Sequence, residues 1–393
     1  MFLRHSSFLL QPLRNTSTDM RYVERMRLLE YWGIKDTALT SEFRRSQFLV
    51  MIDRKPLVRR KGNTIQFPSH SYTDLQKSLG EYGFQFDTSN SCLLDAIDGP
   101  SNDVVCYIRD ICVEKFYFHV PLLGTSLKAV EPPEDSPVQK EDVMRELGRC
   151  LDAHFVDIRT AMLGLSSERE RNLLAKFQSL SRWSRTYLRC PKCGAPLKMR
   201  VSKTGATCHT CPQVYYPTCS PVAITLVSDP TDSHALLIRH KASPPALYTA
   251  LAGFAQFLFK PGESLDDCAR REIAEEVGLP VSKVMSLNRT QPWPMPNSSL
   301  MCAYYAVADM SLKIDACPTE LESARWFSRD QVAAALQRTL SDPLLKGIPR
   351  DVNERQNLLY IPPHGAIAHQ IIKAWVERQL HVQNTETNLH YTM

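Results

Sequence analysis

Two C-x-x-C pairs constrain this chain more than any other feature. Cys190-Pro191-Lys192-Cys193 is followed, after 14 residues, by Cys208-His209-Thr210-Cys211. Each pair sits on a tight turn, so both of its thiolates can face one ion. Two such turns complete a tetrahedral S4 shell at Zn–S distances of about 2.3 Å. Protein fills all four positions and leaves none for water, so the spacing predicts a structural Zn²⁺ in a small ribbon. A redox C-x-x-C would stand singly in a βαβ context. Contact with nucleic acid is the alternative use of such a ribbon, although most of them simply hold a fold together.

The other eight of the twelve cysteines are scattered singly. That suits free thiols in a reducing compartment better than a secreted disulfide framework. With 393 residues, 43% of them hydrophobic and 23% charged, the chain is globular, and its length suggests two or three domains. No run approaches ~18 uninterrupted apolar residues, which excludes a membrane-spanning helix from the sequence reading. The formal net charge of +5 is too small to argue for nucleic-acid binding by bulk attraction.

The first 34 residues read as a leader. Met1 to Thr18 contains Arg4 and Arg14 but no acid, and bulky apolar residues such as Phe2, Leu3, Phe8 and Leu13 alternate with polar ones. This is the makeup of a mitochondrial transit peptide, with an ordinary frayed terminus as the bland alternative. Residues 35–139 read as a mixed α/β domain with a structural or dimerising role, so a homodimer is one expected assembly. Val104–Ile108 and Lys115–Val120 are its clearest strands, and Glu131–Ser136 reads as a linker. Residues 140–186 turn helical, with apolar positions at spacings of three and four, and connect to the ribbon at 187–217. From 218 to 380 short apolar strands (Val222–Val227, Ala235–Arg239, Met301–Ala308) surround one marked helix. An amphipathic helix over Ala366–Leu380 follows, and 381–393 reads as an unstructured tail.

That marked helix carries the chemistry. Ser264, with Asp267 three residues on, forms a capping box that starts a helix near Leu265, and Gly278 suits its exit. At 3.6 residues per turn Glu272 and Glu276 stack on one face with Glu275 beside them, while Leu265, Ala269, Ile273 and Val277 form a core stripe. Three carboxylates so close repel one another unless cations neutralise them. Hard oxygen donors favour Mg²⁺ or Mn²⁺. A solvated acidic face is the bland alternative.

The whole pattern, Glu263, seven residues, then Arg271-Glu272-Ile273, Glu275-Glu276 and Gly278-Leu279, resembles the box of the Nudix hydrolases, which cleave nucleoside diphosphates linked to another moiety. The resemblance implies an α+β protein in which a Nudix α/β/α sandwich is preceded by the zinc ribbon and the mixed α/β N-terminal domain. It implies that Glu272, Glu275 and Glu276 carry divalent cations and do the catalysis, that the carbonyl of Ala252 and Glu320 add metal ligands, and that Arg271 pairs with Glu263 to brace the loop. Phe257 stands where the family has a glycine. Gly253 is the matching glycine, and it leaves nine residues before Glu263 instead of five. The difference reads as an insertion at 257–260.

Thr290-Gln291-Pro292-Trp293-Pro294-Met295-Pro296-Asn297-Ser298 is stiff and extended, with little entropy to lose on binding. From spacing alone Trp293 reads as a packing anchor or a platform for a heterocycle. The segment resembles the array that marks the NADH diphosphatase branch of the Nudix family, and Ser220–Asp229 and Trp326–Phe327, together with the leader, resemble the mitochondrial member of that branch. The resemblance makes Gln291 to Ser298 substrate-binding, together with Tyr216 and Ala368, and Phe254 reads as a substrate-binding wall for an aromatic ring, with a core position as the bland alternative. The implied reaction is cleavage of NADH, and also of NAD⁺ or NADPH, to nicotinamide mononucleotide and AMP or 2′-phospho-AMP. Three readings stay open beside it. They are decapping of NAD-capped RNA, cleavage of another diphosphate such as ADP-ribose, and NAD(H) binding without turnover because of the insertion.

Overall fold

The computed structural model describes residues 47–52, 54–62, 64–68, 70–80, 91–96, 104–108, 140–199, 203–255, 262–348 and 359–380. The leader, the strand expected at Lys115–Val120, the linker Glu131–Ser136, the insertion at 257–260 and the tail lie outside the described residues. Among the described residues no helix is long and apolar enough to cross a membrane.

Three sheets follow one another along the chain. The first has the order β3-β2-β1-β5-β4, with β6 also on β2. Its strands are β1 (Gln47–Ile52), β2 (Lys55–Lys61), β3 (Thr64–Gln66), β4 (Ser91–Ala96), β5 (Val104–Ile108) and β6 (His154–Phe155), and helix α1 (Tyr72–Gly80) lies between β3 and β4. The pairing of β1 with β5 is parallel. The connector forms three helices, α2 (Lys140–Cys150), α3 (Ile158–Gly164) and α4 (Glu168–Thr186). Asp157 caps α3 by accepting from the Thr160 amide. Leu173, Phe177 and Leu180 of α4 pack on Leu49 and Met51 of β1, as the spacing of three and four requires.

The ribbon is the second sheet, β7 (Leu197–Met199), β8 (Ala206–Cys208) and β9 (Val214–Tyr215), paired antiparallel in that order. It leads directly into the third sheet, ordered β13-β14-β10-β11-β15 with β12 on β10. Those strands are β10 (Ser220–Ser228), β11 (His234–His240), β12 (Leu251–Phe254), β13 (Val281–Trp293), β14 (Ser299–Ala308) and β15 (Leu321–Ser328).

The third sheet is buried on both faces, and alternation along its strands shows why. Ile224 and Leu226 of β10, Ala235 and Leu237 of β11, and Ala303 and Tyr305 of β14 face helices α6 (Arg329–Ser341) and α7 (Ile367–Val376). Their neighbours Val227, Leu236, Ile238 and Ala306 face helix α5 (Leu265–Val277) through Ile273 and Val277. Helices on both faces of one sheet make an α/β/α sandwich.

Two elements differ from the sequence reading. The segment 281–289, for which the sequence reading named no element, is a strand continuous with the proline-tryptophan array. It is the edge strand of the sheet, where few positions need be apolar and where Pro292 is tolerated. The last helix ends at Val376 rather than Leu380 because Arg378 takes φ +54°. The amides of Gln379 and Arg378 then close back on the carbonyls of Ala374 and Trp375, at 2.8 and 3.0 Å.

Candidate active site

Helix α5 is set at one end by a side-chain cap and at the other by a glycine. Ser264 Oγ accepts from the Asp267 amide at 3.1 Å and donates to the Asp267 carboxylate at 2.7 Å. At the far end Gly278 takes φ +70°, where a Cβ would also meet Asp315 Cβ at 2.9 Å. Cys268, Ala269, Ile273 and Val277 are buried against the sheet, and this docking turns the carboxylate face toward β12.

Gly253 of β12 pairs with Ala223 of β10. A Cβ on Gly253 would lie 1.8 Å from the carboxyl carbon of Glu272, so the glycine is the floor on which this carboxylate rests. Arg271 works as a fork over the same place. It donates to both oxygens of Glu263 at 2.6 and 3.1 Å, to Glu272 at 2.7 Å, to Glu275 at 2.8 Å and to the Phe254 carbonyl at 2.9 Å. The guanidinium is mostly buried, and these carboxylates, Glu263 first, hold it protonated well above its ordinary range. Desolvation lifts Glu272 above the usual carboxylate range although Arg271 pulls it down.

Glu276 has no such partner. It is 3% exposed, and its Oε2 has no hydrogen bond. Burial first, then the nearby carboxylates of Glu272 and Glu320, push it up to about 8. Glu320 stands at the turn into β15, held by its amide on the Cys317 carbonyl at 3.3 Å. The Cys317 amide in turn bonds the Glu276 carbonyl at 2.8 Å. Three carboxylates within electrostatic reach of one another, one of them buried with an orphaned oxygen, form a hard donor set that fits a divalent cation. Ala252 lies in register with Ile224, next to this set.

The four cysteines converge more tightly. Their sulfur atoms all lie within 4.8 Å of one another, and among the described residues no other His, Cys, Asp or Glu group of three or more does so. Cys190 faces Cys211 and Cys193 faces Cys208, both at 3.5 Å. Against the desolvation of the cluster, the Tyr215 hydroxyl at 3.1 Å and the amides of Cys193 and Lys192 bring the Cys190 thiol down to about 6. A four-thiol cluster with a thiolate available near neutral pH fits zinc.

The proline-tryptophan array joins three parts of the molecule. Trp293 and Met295 pack on Ala161, Met162, Leu165 and Leu174 of the connector helices, so Trp293 is a packing side chain. Arg182 of α4 donates to the Pro296 carbonyl. Gln291 is buried and bridges to the C-terminal segment, with Nε2 on the Gly365 carbonyl at 2.7 Å and Oε1 on the Ile367 amide at 2.8 Å. Pro294 is also buried, whereas Pro296 and Asn297 are exposed, and the Ser298 carbonyl accepts from the Ser220 amide. Ala368, the residue directly after this clasp, is 4% exposed within the apolar cluster beneath the sheet. Tyr216 and Phe254 are 58% and 44% exposed, so neither is a core aromatic.

The reach of Arg271 to Glu275 was readable from their spacing of four on a helix, an arrangement that favours opposite charges. The contact of Gly253 with Glu272 had no such signal, because it joins residues from separate elements.

Comparison with known proteins follows the same geometry. A family profile described as NUDIX domain matches residues 220–347. A Caenorhabditis elegans protein named NAD-capped RNA hydrolase ndx-9 is 55% identical over 371 residues, covering 94% of this chain and 94% of that protein. The human protein named NAD(P)H pyrophosphatase NUDT13, mitochondrial, is 32% identical over 364 residues, covering 91% of this chain and 92% of its own. A Macaca fascicularis protein named NAD-capped RNA hydrolase NUDT12 is 36% identical over 248 residues, 61% of this chain and 48% of that one.

Proposed function

Because the chain belongs to the Nudix family, we propose that it hydrolyses the diphosphate bond of NADH, and also of NAD⁺ or NADPH, to nicotinamide mononucleotide and AMP or 2′-phospho-AMP. The observation that carries this reading is the buried, orphaned oxygen of Glu276 beside Glu272 and Glu320. Glu272, Glu276 and Glu320, with the Ala252 carbonyl, would hold Mg²⁺ or Mn²⁺. A divalent ion bound there supplies charge against the diphosphate oxygens and acidifies an attacking water.

The protein's own part is positioning and proton transfer. Gly253 and the Arg271 fork fix the Glu272 carboxylate before substrate arrives, so no reorganisation is needed at the moment of reaction. Glu275 is half exposed. It is the carboxylate open to bulk water and takes the proton from the nucleophile as the new P–O bond forms and the bridging P–O bond breaks. Exposed Tyr216 and Phe254, with Pro296 to Ser298, offer walls for the flat ends of a dinucleotide. The four cysteines would hold Zn²⁺ as a structural ion.

Decapping of NAD-capped RNA is the second reading, favoured by the name of the relative that is 55% identical. It breaks the same bond with the same residues. A mitochondrial location is part of the proposal, supported by the acid-free leader and by the name of the human relative.

The test is direct. The purified chain is incubated with Mg²⁺ or Mn²⁺ and NADH, NAD⁺, NADPH, ADP-ribose and NAD-capped RNA, and the products are identified by mass. Nicotinamide mononucleotide released from a dinucleotide or cap supports the reading, and turnover of ADP-ribose alone overturns it. Binding of NADH without cleavage, rescued by deleting 257–260, would establish the silent-binder alternative.

A further inference from the structure

Helix α7 begins without a side-chain cap. Ala366, at its head, offers no acceptor, and its first turn carries no acid. The first amides of a helix have no partner within it, and the clasp from Gln291 Oε1 takes one of them, that of Ile367. The helix dipole adds to the rest, so this end favours an anion.

A helix start alone is a weak signal. The second observation is a side chain on the same turn. His369 is 1% exposed, and among the described residues its Nε2 has no partner. Its Nδ1 lies 2.8 Å from the Pro362 carbonyl, and its ring centre lies 5.5 Å from that of His364. Both contacts are with residues that precede the helix, so the ring leans back over the head of α7, as helical side chains do. Arg171 of α4 comes to the same place. It is 5% exposed, its Nη1 holds the Leu165 carbonyl at 2.7 Å, and among the described residues its Nε has no partner. Gly365 lets the two segments meet, since a Cβ there would strike the carbonyls of Leu163 and Met162 at 2.7 and 3.0 Å.

The charges agree. Among the described residues, those that act on the two rings are cationic: Arg171 and Lys373 on His364, and His364 and Lys373 on His369. Burial first, then these cations, hold both histidines below their ordinary range, against the pull of the Pro362 carbonyl on His369. Glu377 stands 3.7 Å from Lys373, Glu168 and Glu170 act on Arg171 from its own helix, and Arg289 of β13 donates to Gln370 beside the histidine. A carbonyl partner requires the proton on Nδ1, so neutral His369 keeps a lone pair at Nε2. A dianion placed here reverses the local field. One proton then passes from water to Nε2, and Nε2–H donates to the anion, as Arg171 Nε–H does without any change of protonation.

We propose that the head of α7, ringed by Arg171, His364, His369 and Lys373, binds a tetrahedral oxydianion, the phosphate of a phosphate monoester or inorganic phosphate. His364 and Lys373 are exposed and give access from solvent. The site joins the C-terminal segment to the connector helices, and it stands whether or not the diphosphatase reading does.

The test titrates the full chain, without added Mg²⁺, with sulfate against a chloride background of equal ionic strength, followed by calorimetry. Sulfate stays dianionic from pH 6 to pH 8, so a change in affinity belongs to the protein. Binding should tighten at least ~5-fold from pH 8 to pH 6, with uptake of about one proton read from buffers of different ionisation enthalpy. The double variant His364→Gln, Lys373→Gln alters exposed positions and should bind sulfate at least ~5-fold more weakly. His369→Asn keeps a donor for the Pro362 carbonyl and removes Nε2, so it should weaken binding and abolish its pH dependence. Sulfate bound no better than chloride by the wild type overturns the site. So does an affinity that is equal at the two pH values, or one unchanged in the double variant, which decides the matter even if His369→Asn fails to fold. A pH dependence that survives in folded His369→Asn overturns it as well. Competition separates the two sources. Displacement of sulfate by inorganic phosphate as readily as by AMP or 2′-phospho-AMP identifies the free ion, and displacement ~10-fold more readily by either nucleotide identifies a phosphate monoester.

Discussion

Glu272 lies across Gly253 so closely that the smallest side chain at residue 253 would coincide with its carboxyl group, the ideal Cβ falling 1.8 Å from Cδ. One hydrogen atom in the backbone of β12 therefore sets where a carboxylate of α5 stands. Gly253→Ala must push the Glu272 side chain off its floor or separate α5 from the sheet. The expected result is a fall of at least ~100-fold in kcat, because a group displaced by about 1 Å loses most of its positioning advantage. Thermal melting should shift little if the side chain yields. A kinetic series over Mg²⁺ concentration checks this, and wild-type kcat in the alanine variant would refute the positioning role.

Glu276 yields a pH prediction with a definite sign. In the metal-free fold its carboxyl is raised to about 8 by burial and by Glu272 and Glu320. In the unfolded chain it titrates near its ordinary value. The fold thus favours the neutral form, and the stability this group contributes is complete below about pH 4.5 and lost as pH rises toward 8, by on the order of a few kcal/mol. Glu276→Gln removes that loss. The metal-free variant should melt higher than the metal-free wild type at pH 8 and about the same at pH 5, yet show no metal-dependent turnover. Mg²⁺ should raise the melting temperature of the wild type and leave the variant unchanged. Melting curves at two pH values, with and without Mg²⁺, decide the matter.

Gln291 joins the edge strand to the C-terminal segment through two buried hydrogen bonds, to Gly365 and Ile367. Gln291→Ala leaves a carbonyl and an amide without partners in a dry place, at a cost of about 2–4 kcal/mol. The same change frees the segment bearing Ala368, so KM for NADH should rise by more than kcat falls. Urea unfolding gives the first quantity and steady-state kinetics the second. A stability loss with unaltered KM would make the clasp purely structural.

Much of this arrangement was legible before any fold was known, and the reason is locality. The Ser264 cap, the Gly278 exit, the stacked glutamates and the cysteine turns are all decided within a few residues, where helical and turn geometry leave little freedom. What stayed hidden is long-range. Gly253 under Glu272, Gln291 on Gly365 and Trp293 against the connector helices each join residues 19 or more positions apart. No periodicity records such contacts. The strand over 281–289 was missed because an edge strand has one poorly covered flank and carries only a weak alternation.

Cys193 tests the ribbon apart from the chemistry. Its sulfur stands 3.5 Å from Cys208 in a cluster whose four sulfurs lie within 4.8 Å. A serine hydroxyl is a poor substitute for a thiolate toward zinc, and three remaining thiolates bind much more weakly. The variant should lose its zinc, and with it a ribbon whose order depends on the ion, lowering Tm by roughly 10 °C or more. Because the ribbon leads straight into β10, activity should fall in proportion to the folded fraction rather than through kcat alone. Zinc released to a chromogenic chelator, the melting temperature and the active fraction are measured on one preparation. A zinc-free protein that melts like the wild type would show that the four thiols are not holding the fold together.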